Sequence, residues 1–449
     1  MPVWAFDHGG GLATDHAFAA GVAVDPTGNV VVVGSFAGSV DFGGTVLVSA
    51  GGNDVFVAKY DAAGALVWVK QFGDAADQSP EAVAVDATGA IVVCGTFYGL
   101  LVFGAGAPTL DAAGSQFPDA FVAKLDATGA HLWSKRLGLG DADTDEAFDC
   151  SVGPSDSVVV IGAFQSAIHL DVIGNDPAPT ATPLVAAGGN GDSDAFLAKY
   201  SATGQHAFGK RFGDAAVQQG IGVAVAADGT IALTGSTEGD IDLGGGALVN
   251  GAGMRGFVGV LDGAGAHKHS LLFKGPGTSV GRAVAFTPAG ALYAAGNFQS
   301  SVDVGGLVVT GTGAGNDDVF VARYSAAGVT ELGRGLGGIF TQRVEDLAVG
   351  PSGKPVLTGR FTTTLKLSAT EQLAGAGGFD GWIVKLDEQG APFWSLGFGD
   401  PSFQAGAGVA ADAQDRALLV GNFSGTIDVG TGTLAMNAID HFFVAKYAP

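Results

Sequence analysis

Asp54-Val55-Phe56-Val57-Ala58-Lys59-Tyr60 runs through the turn Asp61-Ala62-Ala63-Gly64 into Leu66-Val67-Trp68-Val69-Lys70, and this pair of segments decides the fold. Each is a short apolar or alternating run bounded by turn residues, the pattern of a β-strand. The pair recurs along the chain. An aromatic opens the equivalent segment at Phe56, Phe121, Phe196, Phe257, Phe320, Trp382 and Phe443. A glycine closes an earlier segment at Gly34, Gly95, Gly162, Gly235, Gly296, Gly359 and Gly421. Upstream, Val22-Ala23-Val24-Asp25 and residues 30–36, joined by Asp25-Pro26-Thr27-Gly28, complete a unit of four strands.

Seven such units of roughly 62 residues, with no helical period between them, predict an all-β chain. The expectation is a single seven-bladed β-propeller over residues 1–449, with four antiparallel strands per blade. We name the strands a to d in chain order. Strand a is small and apolar, as in Val83-Ala84-Val85, and belongs at the crowded axis; strand d is larger and mixed, and belongs at the rim. The recurring Gly-x-Phe (Phe36, Phe97, Phe164, Phe298, Phe361, Phe423) is expected between neighbouring blades, with Thr237 breaking the pattern in blade 4. The last unit ends at its c strand, residues 443–447. The first residues, Val3-Trp4-Ala5-Phe6, match the d strands around Trp68, Trp133 and Trp394. Residues 3–7 are therefore expected to supply the outer strand of the last blade and close the ring, removing an exposed sheet edge.

The unit resembles the bacterial SBBP-type propeller repeat, and Asp119-Ala120-Phe121-Val122-Ala123-Lys124-Leu125-Asp126 follows that pattern closely. Its Val-Ala-Val-Asp portion is also similar to NHL-type repeats. Gly256-Phe257-Val258-Gly259-Val260-Leu261 and Gly381-Trp382-Ile383-Val384-Lys385-Leu386 depart from it while keeping the strand pattern. The resemblance implies a propeller of the kind often found on secreted or surface-anchored bacterial proteins, and it carries no catalytic motif.

Composition narrows the partners. With 44 acidic against 21 basic residues the formal charge is −23, which argues against nucleic acid or an anionic membrane. Apolar runs such as 30–33 and 158–161 are strand-length, so no membrane insertion is expected. Cys94 and Cys150 both fall in strands and read as free buried thiols. Met1-Pro2-Val3-Trp4 leads directly into the first repeat element with no secretory signal pattern. The expected protein is a monomer, placed outside the cell or on its surface.

Loop lengths point to a face. Glycine-to-aromatic spacing is 22 to 24 residues except from 95 to 121 and from 162 to 196, and the next interval, 121 to 162, is also long. These insertions fall in d–a and b–c loops of blades 2 and 3, which project from one face, the candidate binding surface for a protein or surface polysaccharide. The inserted d–a loop places Asp141, Asp143, Asp145 and Glu146 close together, a spacing from which a loop can wrap calcium. Against this, Glu146 stands where an EF-type loop needs glycine. Asp41, Asp171, Asp242, Asp303 and Asp428 each follow an aliphatic residue after strand b and read as turn caps. Residues 277–281 fit G-x-S-x-G and 251–256 fit G-x-G-x-x-G, but neither stands before a helix. His8 and His16 share the long first loop with Asp7 and Asp15, a weak metal pattern. The expectation is a non-catalytic binding or scaffold propeller with no cofactor. The alternatives are a lectin-like module assisted by calcium and a polysaccharide-acting enzyme with a dispersed site in the axial channel.

Overall fold

The computed structural model describes residues 1–12, 14–112, 116–138, 143–172, 182–188, 191–312, 315–435 and 440–449. Seven four-stranded antiparallel sheets stand around an axis. Strands a to d are His16–Val24, Val30–Ala37, Asp54–Tyr60 and Leu66–Phe72 in blade 1, and Gln78–Val85, Ile91–Phe97, Asp119–Leu125 and His131–Leu137 in blade 2. Blade 3 is Asp145–Val152, Val158–Gln165, Ser193–Tyr200 and His206–Phe212; blade 4 is Gln218–Val225, Ile231–Thr237, Arg255–Leu261 and His267–Leu272. Blade 5 is Ser279–Phe286, Leu292–Gln299, Asp317–Tyr324 and Thr330–Leu336; blade 6 is Gln342–Val349, Pro355–Phe361, Asp380–Leu386 and Pro392–Phe398. Blade 7 takes Gln404–Ala411, Ala417–Phe423 and His441–Tyr447 from the end of the chain and Pro2–His8 from its start. The closing strand lies antiparallel to strand c, with Ala5 opposite Ala445 and Asp7 opposite Phe443.

The two landmarks are direct partners. Gly34 faces Phe56, Gly95 faces Phe121, Gly162 faces Phe196, and the same register pairs Gly235 with Phe257, Gly296 with Phe320, Gly359 with Trp382 and Gly421 with Phe443. A Cβ at Gly34 would collide with the Phe18 carbonyl and the Phe56 ring, so the glycine is there to let the aromatic lie across the sheet.

Each core lies between consecutive blades. Phe36 packs with Leu418 and Phe442 across the closing seam, Phe97 with Val31 and Val55, and Phe361 with Tyr293 and Val319. The Gly-x-Phe side chains are therefore wedges between sheets, and Thr237, buried at the blade 4 position, is not one of the cluster residues. Cys94 and Cys150 are free and buried in the core between blades 2 and 3.

Two features had no sequence forecast. The b–c connections carry small ribbons, as Ser39–Asp41 with Val46–Val48 and Ser301–Asp303 with Val308–Thr310. Four of the five recurring aspartates cap glycine amides at the ribbon tips: Asp41 accepts from Gly44, Asp242 from Gly244 and Gly246, Asp303 from Gly305 and Gly306, and Asp428 from Gly430 and Gly432. Asp171 instead pairs with Lys135 at 2.7 Å. The second feature is a buried ion pair between the strand c lysine and the aspartate of the a–b turn, at 2.8 Å for Lys59 and Asp25, 2.7 Å for Lys124 and Asp86, and 3.1 Å for Lys446 and Asp412. Lys124 also donates to the Asp156 carbonyl of blade 3, so the ammonium ties its own turn to the next blade. No helix among the described residues is long and apolar enough to cross a membrane.

Candidate functional site

Strand a carries a β-bulge in every blade, a register slip that leaves one residue without a partner on strand b. The seven skipped residues are Ala20, Glu81, Phe148, Ile221, Arg282, Glu345 and Ala407, and all seven line the axial channel, a cavity of about 460 Å³. Sequence reasoning missed this ring. Each member stands fourteen positions before its blade's landmark glycine, a signal that was present but chemically silent because the seven side chains share no type.

Asp149 and Asp346 follow the bulge in blades 3 and 6. Asp149 accepts from the Val223 amide of blade 4 and its own neighbour Cys150, both at 2.7 Å; Asp346 accepts from Val409 of blade 7 at 2.8 Å and Leu347 at 2.7 Å. These carboxyls stitch adjacent inner strands together. Burial pushes Asp149 up to about 8, with Asp346 adding to the rise, and pushes Asp346 up to about 6. Glu81, open to channel solvent but enclosed by the ring, is raised by burial to about 7, and Glu146 adds to its rise.

A carboxyl raised in the fold gives stability that is complete below its unfolded value and is lost as pH rises through the folded value. The melting temperature should therefore fall across the interval from about pH 4 to about pH 8, and Asp149→Asn should flatten that fall. Thermal melts of both proteins across the interval check this; parallel curves contradict it.

At the d–a and b–c face the channel opens into a hollow of about 340 Å³ between blades 4, 5 and 6. Gln219, Ser236, Thr278, Asn297, Arg282 and Arg343 are among its walls. Asp317 Oδ2 holds the Arg343 guanidinium through Nε at 2.9 Å and a terminal nitrogen at 2.8 Å. On the same face, the d–a loops expose Ile339 by 66%, Phe340 by 52% and Phe403 by 37%. The opposite face has a larger hollow of about 720 Å³ among the a–b turns of blades 4 to 7. Its acids are already engaged, Asp228 by Thr230 and Asp412 by Lys446 and Arg416.

Of the forecast metal residues, Asp143, Asp145 and Glu146 lie among the described ones. Asp141 lies outside the described residues. Asp145 opens strand a of blade 3 and is fully buried, and Glu146 follows it in the strand, so the two side chains leave opposite faces of the sheet. Among the described residues no three histidine, cysteine or acidic side chains group as metal ligands. The long first loop is similarly divided. His8 bonds the Asp41 carbonyl, His16 pairs with Asp440, Asp7 with His441, and Asp15 accepts amides from Gly11, Leu12 and Ser39. Burial pushes His8 down to about 4, so it is neutral at physiological pH. Ser279 of the G-x-S-x-G string donates to the Phe273 carbonyl and accepts from Gly256, a structural tie from strand a of blade 5 to blade 4.

No family model matches this chain. It is 27% identical over 169 residues to the regulatory protein FlaEY of Caulobacter vibrioides, covering 37% of this chain and 16% of that protein. It is 28% identical over 160 residues to the WD repeat-containing protein L264 of Acanthamoeba polyphaga mimivirus, covering 32% of this chain and 11% of that protein. The chain thus matches a small fraction of either relative's length. Among solved structures, the Neurospora crassa Pan2 WD40 domain aligns with a TM-score of 0.46 and 9% identity over 96% of this chain and 89% of its own. The propeller domain of the Pyrococcus furiosus Trilobed protease aligns with a TM-score of 0.43 and 8% identity over 90% and 89%.

Proposed function

We propose that this chain is a non-catalytic recognition module, engaging a protein or a cell-surface polymer through the face formed by the d–a and b–c loops. One observation carries the reading. That face gathers the polar hollow between blades 4 and 6, where Gln219, Ser236 and Thr278 make no side-chain hydrogen bond among the described residues, together with the exposed apolar Ile339, Phe340 and Phe403. The other face spends its charges on its own turns. Resemblance to SBBP-type repeats supports a setting outside the cell or on its surface, where polymers and protein partners are both at hand.

Bulky substitutions test the choice of face. Thr278→Trp fills the hollow at an exposed position, and Ser325→Trp places the same bulk at the opposite hollow. On an array of surface polysaccharides and proteins, binding should be lost in the first variant and kept in the second; the reverse pattern refutes the reading. Running the array in calcium and again in EDTA tests the loop of Asp141, Asp143, Asp145 and Glu146, because a metal-assisted contact disappears with the chelator.

A second reading, a polysaccharide-acting enzyme in the channel, is supported by one observation. Glu81, raised to about 7, shares the cavity with Arg282. Release of reducing ends by the wild-type chain and none by Glu81→Gln supports it, and no release from any polymer removes it.

A further inference from the structure

We propose that the hollow between blades 4, 5 and 6 binds a carboxylate-bearing sugar unit, with Arg282 as its anchor. The inference rests on the recognition reading above and names the chemistry of its ligand.

Arg282 is where it is because of the bulge. The backbone slip between Gly281 and Ala283 leaves its residue unpaired, and its side chain lines both the mouth hollow and the axial cavity. At the same ring position the other blades carry Ala20, Glu81, Phe148, Ile221, Glu345 and Ala407, so blade 5 alone presents a cation.

Among the charged groups paired around Arg282 the balance is positive, opposite to the −23 of the whole chain, while Glu81, Asp149 and Asp346 line the axial cavity and not the mouth hollow. Arg343 is neutralised by Asp317. Arg282 and Arg360 share one carboxylate, Glu345, at 3.6 and 3.4 Å, longer than a hydrogen bond between charged groups. The Nε atoms of both arginines are shielded from solvent and have no hydrogen-bond partner, and neither has Glu345 Oε1. Two guanidiniums on one acid leave one positive charge, and the Arg282 side chain, 30% exposed, offers it to a second carboxylate in the hollow. The surrounding negative surface is screened beyond about 8 Å at physiological salt, whereas a contact inside the hollow is not.

The remaining walls suit hydroxyl groups. Gln219, Ser236 and Thr278 make no side-chain hydrogen bond among the described residues, so amide and hydroxyl donors and acceptors stand open beside Arg282. A volume of about 340 Å³ is at the low end for small-ligand sites, room for a sugar ring or two. An acidic sugar supplies both halves, a carboxylate for the arginine and a ring of hydroxyls for the amides.

Calorimetric titration of the full chain with digalacturonate, its methyl ester and inorganic phosphate tests this. Digalacturonate should bind, and the ester at least tenfold more weakly, since one charge-assisted hydrogen bond is worth about tenfold or more. Arg282→Gln should weaken digalacturonate binding by the same factor. Thr278→Trp, exposed and remote from the core, should abolish it without unfolding the ring. Equal affinity for acid and ester, or an unchanged Arg282→Gln, overturns the proposal. Phosphate binding as tightly, with the same dependence on Arg282, overturns the sugar class and leaves a bare anion site. If Thr278→Trp abolishes array binding while digalacturonate is ignored by the wild type, only the ligand class fails and the recognition face stands.

Discussion

A chain that starts at residue 9 should melt about 10 °C or more below the full protein and self-associate during size-exclusion chromatography. Pro2–His8 is the outer strand of blade 7, and its loss leaves His441–Tyr447 as a bare edge. The strand also carries much of the seam. Trp4 stacks on Phe6 at 5.3 Å and donates to the Ala62 carbonyl, Phe6 meets Tyr60 of blade 1 at 4.8 Å, and His8 lies 5.5 Å from Phe442. Trp4 and Phe6 are half-buried and His8 is buried, so their combined loss is at least comparable to a single core truncation of about 2–5 kcal/mol. The seam also has its own polarity. In blades 1 and 3 an aspartate on strand c meets Gln71 or Arg211 on strand d, whereas in blade 7 His441 on strand c meets Asp7 on the closing strand, at 3.0 Å. Asp7 set against Asp54 or Asp194 would repel, so the exchange favours pairing of the first strand with the last blade. Adding a peptide of residues 1–8 should restore the melting temperature of the truncated chain; an unchanged midpoint on truncation contradicts ring closure.

Asp86→Ala should cost about 3–5 kcal/mol, because it strands the Lys124 ammonium in the protein interior. Both side chains are 2% exposed and stand 2.7 Å apart. Burial alone would raise the Asp86 carboxyl, yet Lys124, Thr88 and the Ala90 amide hold it below the usual range. A depressed carboxyl contributes stability that is present above its unfolded value, about 3.9, and lost as pH falls through the folded value. The deficit of the variant should accordingly be constant from pH 5 to 8 and shrink below about pH 4. Chemical denaturation at several pH values reads this directly. Lys124→Met combined with Asp86→Ala should recover most of the loss, since the pair, not the packing, is what the single change breaks.

The propeller was legible because its signals are backbone signals. A glycine that must lie under an aromatic, and a turn that must reverse the chain, leave the same letters in every repeat, and Gly34 opposite Phe56 is repeated seven times. Closure was legible for the same reason: Trp4 stands in the place of Trp68. The channel was not, because a bulge constrains the backbone and leaves its side chain free. Arg282 and Glu345 are 63 positions apart and share no motif, and only alignment of the repeats against their glycines brings them to one ring. The Lys–Asp pins lay between. Lys59 and Asp25 are both visible in the repeat, but their pairing depends on strands b and c folding back over strand a. The acidic loop was read as a candidate from spacing alone, and strand formation through Asp145 and Glu146 turns those two carboxylates apart.

Recognition at the d–a and b–c face can be read by hydrogen exchange with and without the strongest-binding polymer of the array. Added protection is expected in the segments around Gln219, Thr278–Val280 and Arg343, with the a–b turns unchanged. Protection confined to the a–b turns, at residues 226–229, 287–290 and 350–353, would contradict it.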